Sequence, residues 1–203
     1  MVFFIFVYRN LNLELMKMTK WNIEPKNSEA SFKVRKLFIT NVIGQMKVFE
    51  GQAETETEDF ESINRICFKA TINSIKTDDA KRDEHLKSAD FFDMDKYPHL
   101  LFVAEELNIS DKKIHANLTI KNITKPMILT VNSNKITTDK DSGEKMELSF
   151  SGKVNRRDFG LTWDGKNAAG DLIVGDEIKL SARIQFVKQE KNAAAKEIKE
   201  CIL

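Results

Sequence analysis

The sequence predicts an all-β chain whose strands close into a barrel or pack as a sandwich. Apolar and polar residues alternate with period two along most of the chain from Trp21 onward, the mark of strands with one buried face. The joints between these runs are short and rich in turn-forming residues, and almost no helical periodicity separates them, which implies antiparallel neighbours. Closure is favoured because it leaves no exposed strand edge.

The first run sets Phe32 and Val34 against Lys33 and Arg35. The second sets Val42, Gly44, Met46 and Val48 against Ile43, Gln45 and Lys47. Ile66, Phe68, Ala70 and Ile72 follow, with Arg65, Lys69, Thr71 and Asn73 on the other phase. Leu101 and Val103 begin another strand, and Ile114, Ala116, Leu118 and Ile120 form the next. Then come Met127, Leu129 and Val131; Met146, Leu148, Phe150, Gly152 and Val154; and last Ile178, Leu180, Ala182, Ile184 and Phe186. Turn chemistry marks the joints SDKK at 110–113 and DSGEK at 141–145, where Asp, Ser and Gly favour reversal. Two segments depart from the strand pattern. DDAKRDEHLKS at 78–88 reads as a short helix capped by Asp78 or Asp79, and the tail from 189 to 203 as a short helix or a frayed end.

The 203 residues suit a single domain with a sizeable core, placed at 20–188 between an N-terminal extension (1–19) and the C-terminal tail. Met16 and Met18 precede the first patterned segment, so the extension is read as disordered or as the product of a misassigned start. The near balance of 32 Lys+Arg against 31 Asp+Glu provides no global field toward nucleic acid or an anionic membrane. No run approaches the roughly 18 apolar residues of a membrane span, so stable insertion is not expected. The apolar opening MVFFIFVY lacks the basic lead and cleavage site of a signal peptide, which places the protein in the cytoplasm, or in the periplasm if residues 1–17 are a degenerate signal. Cys67 and Cys201 lie far apart in different contexts and indicate no disulfide framework; Cys67 reads as a buried hydrophobe.

The segment KRDEHLKSADFFDMDKYPHLLF at 81–102 concentrates Arg82, Asp83, Glu84, His85, Asp90, Asp93, Asp95 and His99. An acid–base site would cluster in this way, and so would a solvated connection anchored by Leu86, Phe91, Phe92 and Tyr97. The spacing matches no metal-ligand motif, and no local signature of a nucleophile accompanies it. The connection is the favoured reading, with no catalytic residue, metal or cofactor.

SIKTDDAKRDEHLKSADFFDMDKYPHLLF, ANLTIKNITKPMILTV, NRRDFGL and VGDEIKLSARIQF, in that order, resemble the YceI-like family of polyisoprenoid-binding proteins from about Trp21 to Val187. The resemblance implies an extended, lipocalin-like antiparallel barrel of eight strands that holds a long isoprenoid chain in an apolar pore. Thr77, Arg82, Asp83, His85, Leu86, Asp90, Phe91, Phe92, Tyr97 and Pro98 match a recurrent structural hallmark of that family. Lys36 stands where many relatives carry a histidine, either a head-group contact or a surface charge.

Two chemistries then define the expected site. Inward positions Phe32, Val34, Ile66, Phe68, Ala70, Ile72, Leu118, Ile120, Leu129, Phe150, Leu180, Ala182, Ile184 and Phe186 would line the pore, small residues leaving room for the ligand or relieving crowding as the barrel tapers. Lys36, Arg82, Arg156 and Arg157 are the candidates for a polar head group, each equally able to be a surface charge or a structural ion pair. The expected partner is an isoprenoid lipid, a polyprenyl phosphate or an isoprenoid quinone, and a homodimer is allowed. Two alternatives remain: a stress-associated interaction module with a packed interior, and an enzyme using His85 and Asp83 on an apolar substrate.

Overall fold

The structure of the protein is a computed structural model that describes residues 18–36, 40–56, 62–139, 143–166, 170 and 174–189. The proposed N-terminal extension up to residue 17, the C-terminal tail from 190 onward and Cys201 lie outside them.

The chain forms β1 (Thr19–Ile23), β2 (Glu29–Lys36), β3 (Thr40–Met46), β4 (Phe49–Thr55), β5 (Ser62–Thr71) and β6 (Ile75–Lys76), followed by the helix α1 (Ala80–Lys87). Then come β7 (His99–Asn108), β8 (Lys113–Ile120), β9 (Ile123–Asp139), β10 (Gly143–Asn155) and β11 (Val174–Lys188). All pairings are antiparallel, and β1 pairs with both β4 and β11, closing the sheet.

Eight strand positions make this barrel because the first three strands are each kinked into two segments. The break between β1 and β2 is a 3₁₀ turn at Pro25–Asn27, where proline has no N–H to give to a ladder. β3 passes into β4 at Lys47 and Val48, and β5 into β6 through the 3₁₀ turn Ile72–Ser74. Backbone bonds from Thr71 N–H to Val48 (2.9 Å) and from Lys47 N–H to Ser74 (3.2 Å) carry the second and third strands through the bend together. One half of the barrel is therefore walled by β1, β4 and β5, the other by β2, β3 and β6. In the second half the gap between short β6 and β7 is covered by α1 and the coil that follows it.

The helix starts where Asp79 accepts the Arg82 N–H at 3.1 Å, an N-cap that satisfies one of the first-turn donors. Four features of the sequence reading need correction. β4 was not expected, because its inward phase, Phe49, Gly51, Ala53 and Thr55, falls to small and polar residues among glutamates. Val48 does not continue the inward run; the kink turns it outward, where it is 58% exposed. On β7 the inward phase is Leu100, Phe102 and Ala104, with Phe102 and Ala104 buried, so Leu101 and Val103 face the other way. Cys67 is buried as expected, but it is disulfide-bonded, against the inference from cysteine spacing.

Candidate binding cavity

The two halves of the barrel are filled differently. In the half walled by β1, β4 and β5, Trp21, Ala53, Ile63, Met146 and Leu148 are all at most 2% exposed, and the indole Nε1 of Trp21 donates to Thr55 Oγ1 at 3.1 Å. That half is a packed floor. Beyond it lies a cavity of about 210 Å³ with an almost wholly apolar wall.

Of the fourteen expected lining residues, twelve stand on this wall, from Phe32 and Val34 on β2 to Leu180, Ala182, Ile184 and Phe186 on β11. Ala70 and Ile72 do not. Ile72 belongs to the 3₁₀ turn, its N–H bound to the Pro98 carbonyl at 2.9 Å, so the kink takes it out of the lumen. Ala70, the residue before last in β5, lies opposite Phe49 on one side and Leu100 on the other and is fully buried in the core. Sequence pattern missed the lining that the connections supply. Leu86 of α1, Phe91 and Phe92 after it, and Phe159 and Leu161 after β10 all face the cavity. Leu86, Phe91 and Phe92 had been identified only as anchors, since nothing in their spacing shows that the surface they anchor to is hollow.

Three glycines shape the wall. A Cβ on Gly44 would lie 2.2 Å from the ring of Phe32, its cross-strand partner. On Gly152 it would lie 2.6 Å from Leu129 Cδ2, and on Gly51 2.4 Å from Ile23 Cδ1. Phe32, Leu129 and Ile23 all line the cavity, so each glycine gives a large lining side chain a place to lie flat instead of projecting into the lumen.

The cap is held by polar bonds. Arg156 is 2% exposed and, among the described residues, is the one charged residue on the cavity wall. Its Nε donates to the Gly175 carbonyl (3.2 Å), its Nη1 to the carbonyls of Leu161 (2.6 Å) and Trp163 (2.9 Å), and its Nη2 to Asp164 (2.7 Å) and toward Asp176 (3.0 Å). Four hydrogen bonds and the ion pair with Asp176 commit this guanidinium to the cap. Arg157 joins the same two carboxylates, through Nε to Asp176 at 2.8 Å and through Nη2 to both oxygens of Asp164 at 2.6 and 2.8 Å. The hydrogen bond from Arg157, reinforced by Arg156, holds the Asp164 carboxyl below its ordinary pKa, and the same contact with Asp164, then Asp176, raises that of Arg157.

The acid-rich segment at 81–102 fastens the other side of the cap. Buried Asp83 accepts the backbone N–H (2.8 Å) and the hydroxyl (2.5 Å) of Thr77, and Arg82 Nε donates to that hydroxyl at 2.8 Å. His85 meets Asp90 at 3.0 Å and packs edge-on against Phe91 (5.1 Å) and Trp163 (4.9 Å). Arg82, Asp83 and His85 thus join α1 to β6 and to the segment after β10, and none of the three lines the cavity. Lys36 is exposed at the end of β2.

A closed antiparallel barrel with a capped apolar lumen defines a lipocalin-like binding barrel. The YceI-like domain matches residues 21–186, and the chain belongs to that family. A UPF0312 protein of Staphylococcus epidermidis is 30% identical over 172 residues, 83% of this chain and 98% of the relative. BcnA of Burkholderia cenocepacia has a similar structure, with a TM-score of 0.65 at 17% identity over 80% of this chain and 98% of that one. A polyisoprenoid-binding domain from Saccharophagus degradans superposes with a TM-score of 0.61 at 10% identity over 83% and 98%. Such identities show a shared fold.

Proposed function

We propose that the protein binds one slender apolar lipid, an isoprenoid tail of a quinone or polyprenyl phosphate, in its lumen without acting on it chemically. The observation that carries this is the apolar cavity of about 210 Å³. An apolar cavity of about 150 Å³ suffices to take up benzene, so the lumen as it stands would hold a short segment of such a chain. A longer tail would need the half-buried rings of Phe32, Phe68, Phe92 and Phe150 to swing aside. Burial of a methyl-branched chain at roughly 25 cal/mol per Å² would supply the affinity, and the commitment of Arg156 to the cap argues that a charged head group sits outside.

Native mass spectrometry of the purified chain tests this. An apolar adduct that is lost on lipid extraction and rebound from a short isoprenoid quinone is the expected result; a protein that neither carries nor takes up such a molecule would refute the reading.

A further inference from the structure

On the outer face of the barrel, strand register sets five exposed side chains in one row across β3, β2, β11, β10 and β9. Ile43 stands opposite Lys33, Lys33 opposite Lys179, and Lys179 opposite Lys153. Ile128 takes the next place, one step beyond the pair of Gly152 and Leu129. The isoleucines at the two ends are 58% and 52% exposed. Lys153 meets Glu177 at 3.1 Å, while no carboxylate among the described residues pairs with Lys33 or Lys179. The neighbouring outward row is a line of hydroxyls: Ser31 opposite Ser181, Ser181 opposite Ser151, and Ser151 opposite Thr130. The three lysines, Ser151, Ser181, Thr130 and Ile128 border one surface depression, so they face a common side.

We propose that this face docks the protein on a bilayer rich in anionic lipid, the lysines meeting headgroup phosphates, the hydroxyls donating to them, and Ile43 and Ile128 entering the acyl boundary. The order of the row selects a bilayer from other acidic partners. A protein interface keeps its apolar anchors central and its charges at the rim. Here the cations hold the centre, and the isoleucines stand about 19 Å apart, four strand spacings of roughly 4.8 Å, too far to fill one pocket. A soluble polyanion offers nothing to the isoleucines, and a second copy meeting this face would set lysine against lysine. At a bilayer each apolar side chain enters the interface separately while each lysine extends its amine to the phosphates. Occupancy would also relieve the repulsion among the three neighbouring lysines. The inference rests on exposed side chains alone and stands or falls apart from any ligand in the lumen.

The test is sedimentation of the full chain with vesicles of phosphatidylcholine, alone or mixed equally with phosphatidylglycerol. The mixed vesicles are expected to retain the protein, less so as salt rises, and the neutral ones to leave it in solution. A basic residue beside an anionic surface is worth about fivefold in partition, so Lys33→Gln/Lys153→Gln/Lys179→Gln should lose on the order of a hundredfold, and Ile43→Ser/Ile128→Ser about tenfold. Equal retention by both kinds of vesicle, or retention unchanged in either variant, would overturn the proposal. So would lysine-dependent binding of soluble polyglutamate without retention on mixed vesicles, which would assign the row to an acidic protein. Thermal unfolding confirms that the variants are folded; were the triple variant not, Lys179→Gln alone should still lose about fivefold, and unchanged retention there would equally refute the idea.

Discussion

The floor of the barrel and its lumen share long strands such as β10 and one alternation, yet Leu148 on β10 is fully buried while Phe150, the next inward residue, is only partly so. Alternation sets the direction a side chain faces. Whether space lies in front of it depends on features outside the strand pattern: the kinks that splay β2, β3 and β6 from β1, β4 and β5, the glycines that let neighbours lie flat, and the cap that keeps water out. Function on this reading resides in the half that is incompletely filled, and stability in the half that is full.

The sharpest way to break that contrast is to empty the floor. Leu148→Ala removes a fully buried side chain among close-packed neighbours, and is expected to cost about 2 to 5 kcal/mol, read by denaturant unfolding, with lipid uptake at the lumen unchanged. Loss of uptake in a variant that is still folded at the assay temperature would show that the two halves are not separable.

Filling is the complementary change. Ala70 and Ala182 look alike in the sequence, each a small residue on the inward phase, but only Ala182 lines the cavity. Ala70→Phe should overpack the core and destabilise by roughly 1 to 3 kcal/mol, whereas Ala182→Phe should leave the melting temperature nearly unchanged and abolish lipid uptake. Similar effects of the two on stability and uptake would remove the distinction.

The barrel and most of its inward residues were legible in the sequence because periods of two survive wherever one face is buried. What was not legible lies where that rule is interrupted. β4 was hidden by the small residues that suit a tight floor, and Ile72 was assigned to the lumen because a 3₁₀ turn does not announce itself within a continuing alternation. The roles of Leu86, Phe91 and Phe159 depended on where connections fold back. Arg156 was recognised as a candidate for a charged contact, but a sequence cannot show that carbonyls from Leu161, Trp163 and Gly175 converge on it.

A smaller effect is expected at Gly44. Its missing side chain is the space into which the Phe32 ring lies, and a methyl group there would lift the ring toward the lumen. Gly44→Ala should therefore weaken binding of a short isoprenoid quinone while changing stability by about 1 kcal/mol or less, since a strand alanine offsets part of the crowding by its lower unfolded-state entropy. Restoration of binding in Gly44→Ala/Phe32→Leu would place the effect on the ring; no restoration, or no loss in the single variant, would refute it.

The mildest perturbation is acid, and the chain's two tryptophans report on the two regions separately, Trp21 from the floor and Trp163 from the cap. The hydrogen bonds from Arg157 and then Arg156 depress the Asp164 carboxyl, and the backbone N–H of Arg82 depresses that of Asp79 at the start of α1. A carboxyl whose pKa is lower folded than unfolded contributes stability above its ordinary value near 4 and loses it as pH falls through the depressed one. Arg157, shifted upward, contributes throughout this range and is lost only at strongly alkaline pH. Falling pH below about 4 should therefore loosen the cap while the floor, held by buried apolar packing and the neutral Trp21–Thr55 hydrogen bond, persists. In Trp21→Phe the remaining Trp163 emission should shift, and bound lipid escape, at a higher pH than the Trp21 emission shifts in Trp163→Phe. Asp164→Asn should diminish the acid-dependent step in the cap and leave the floor transition in place. A single coincident transition in both single-tryptophan variants would mean that cap and floor unfold as one unit.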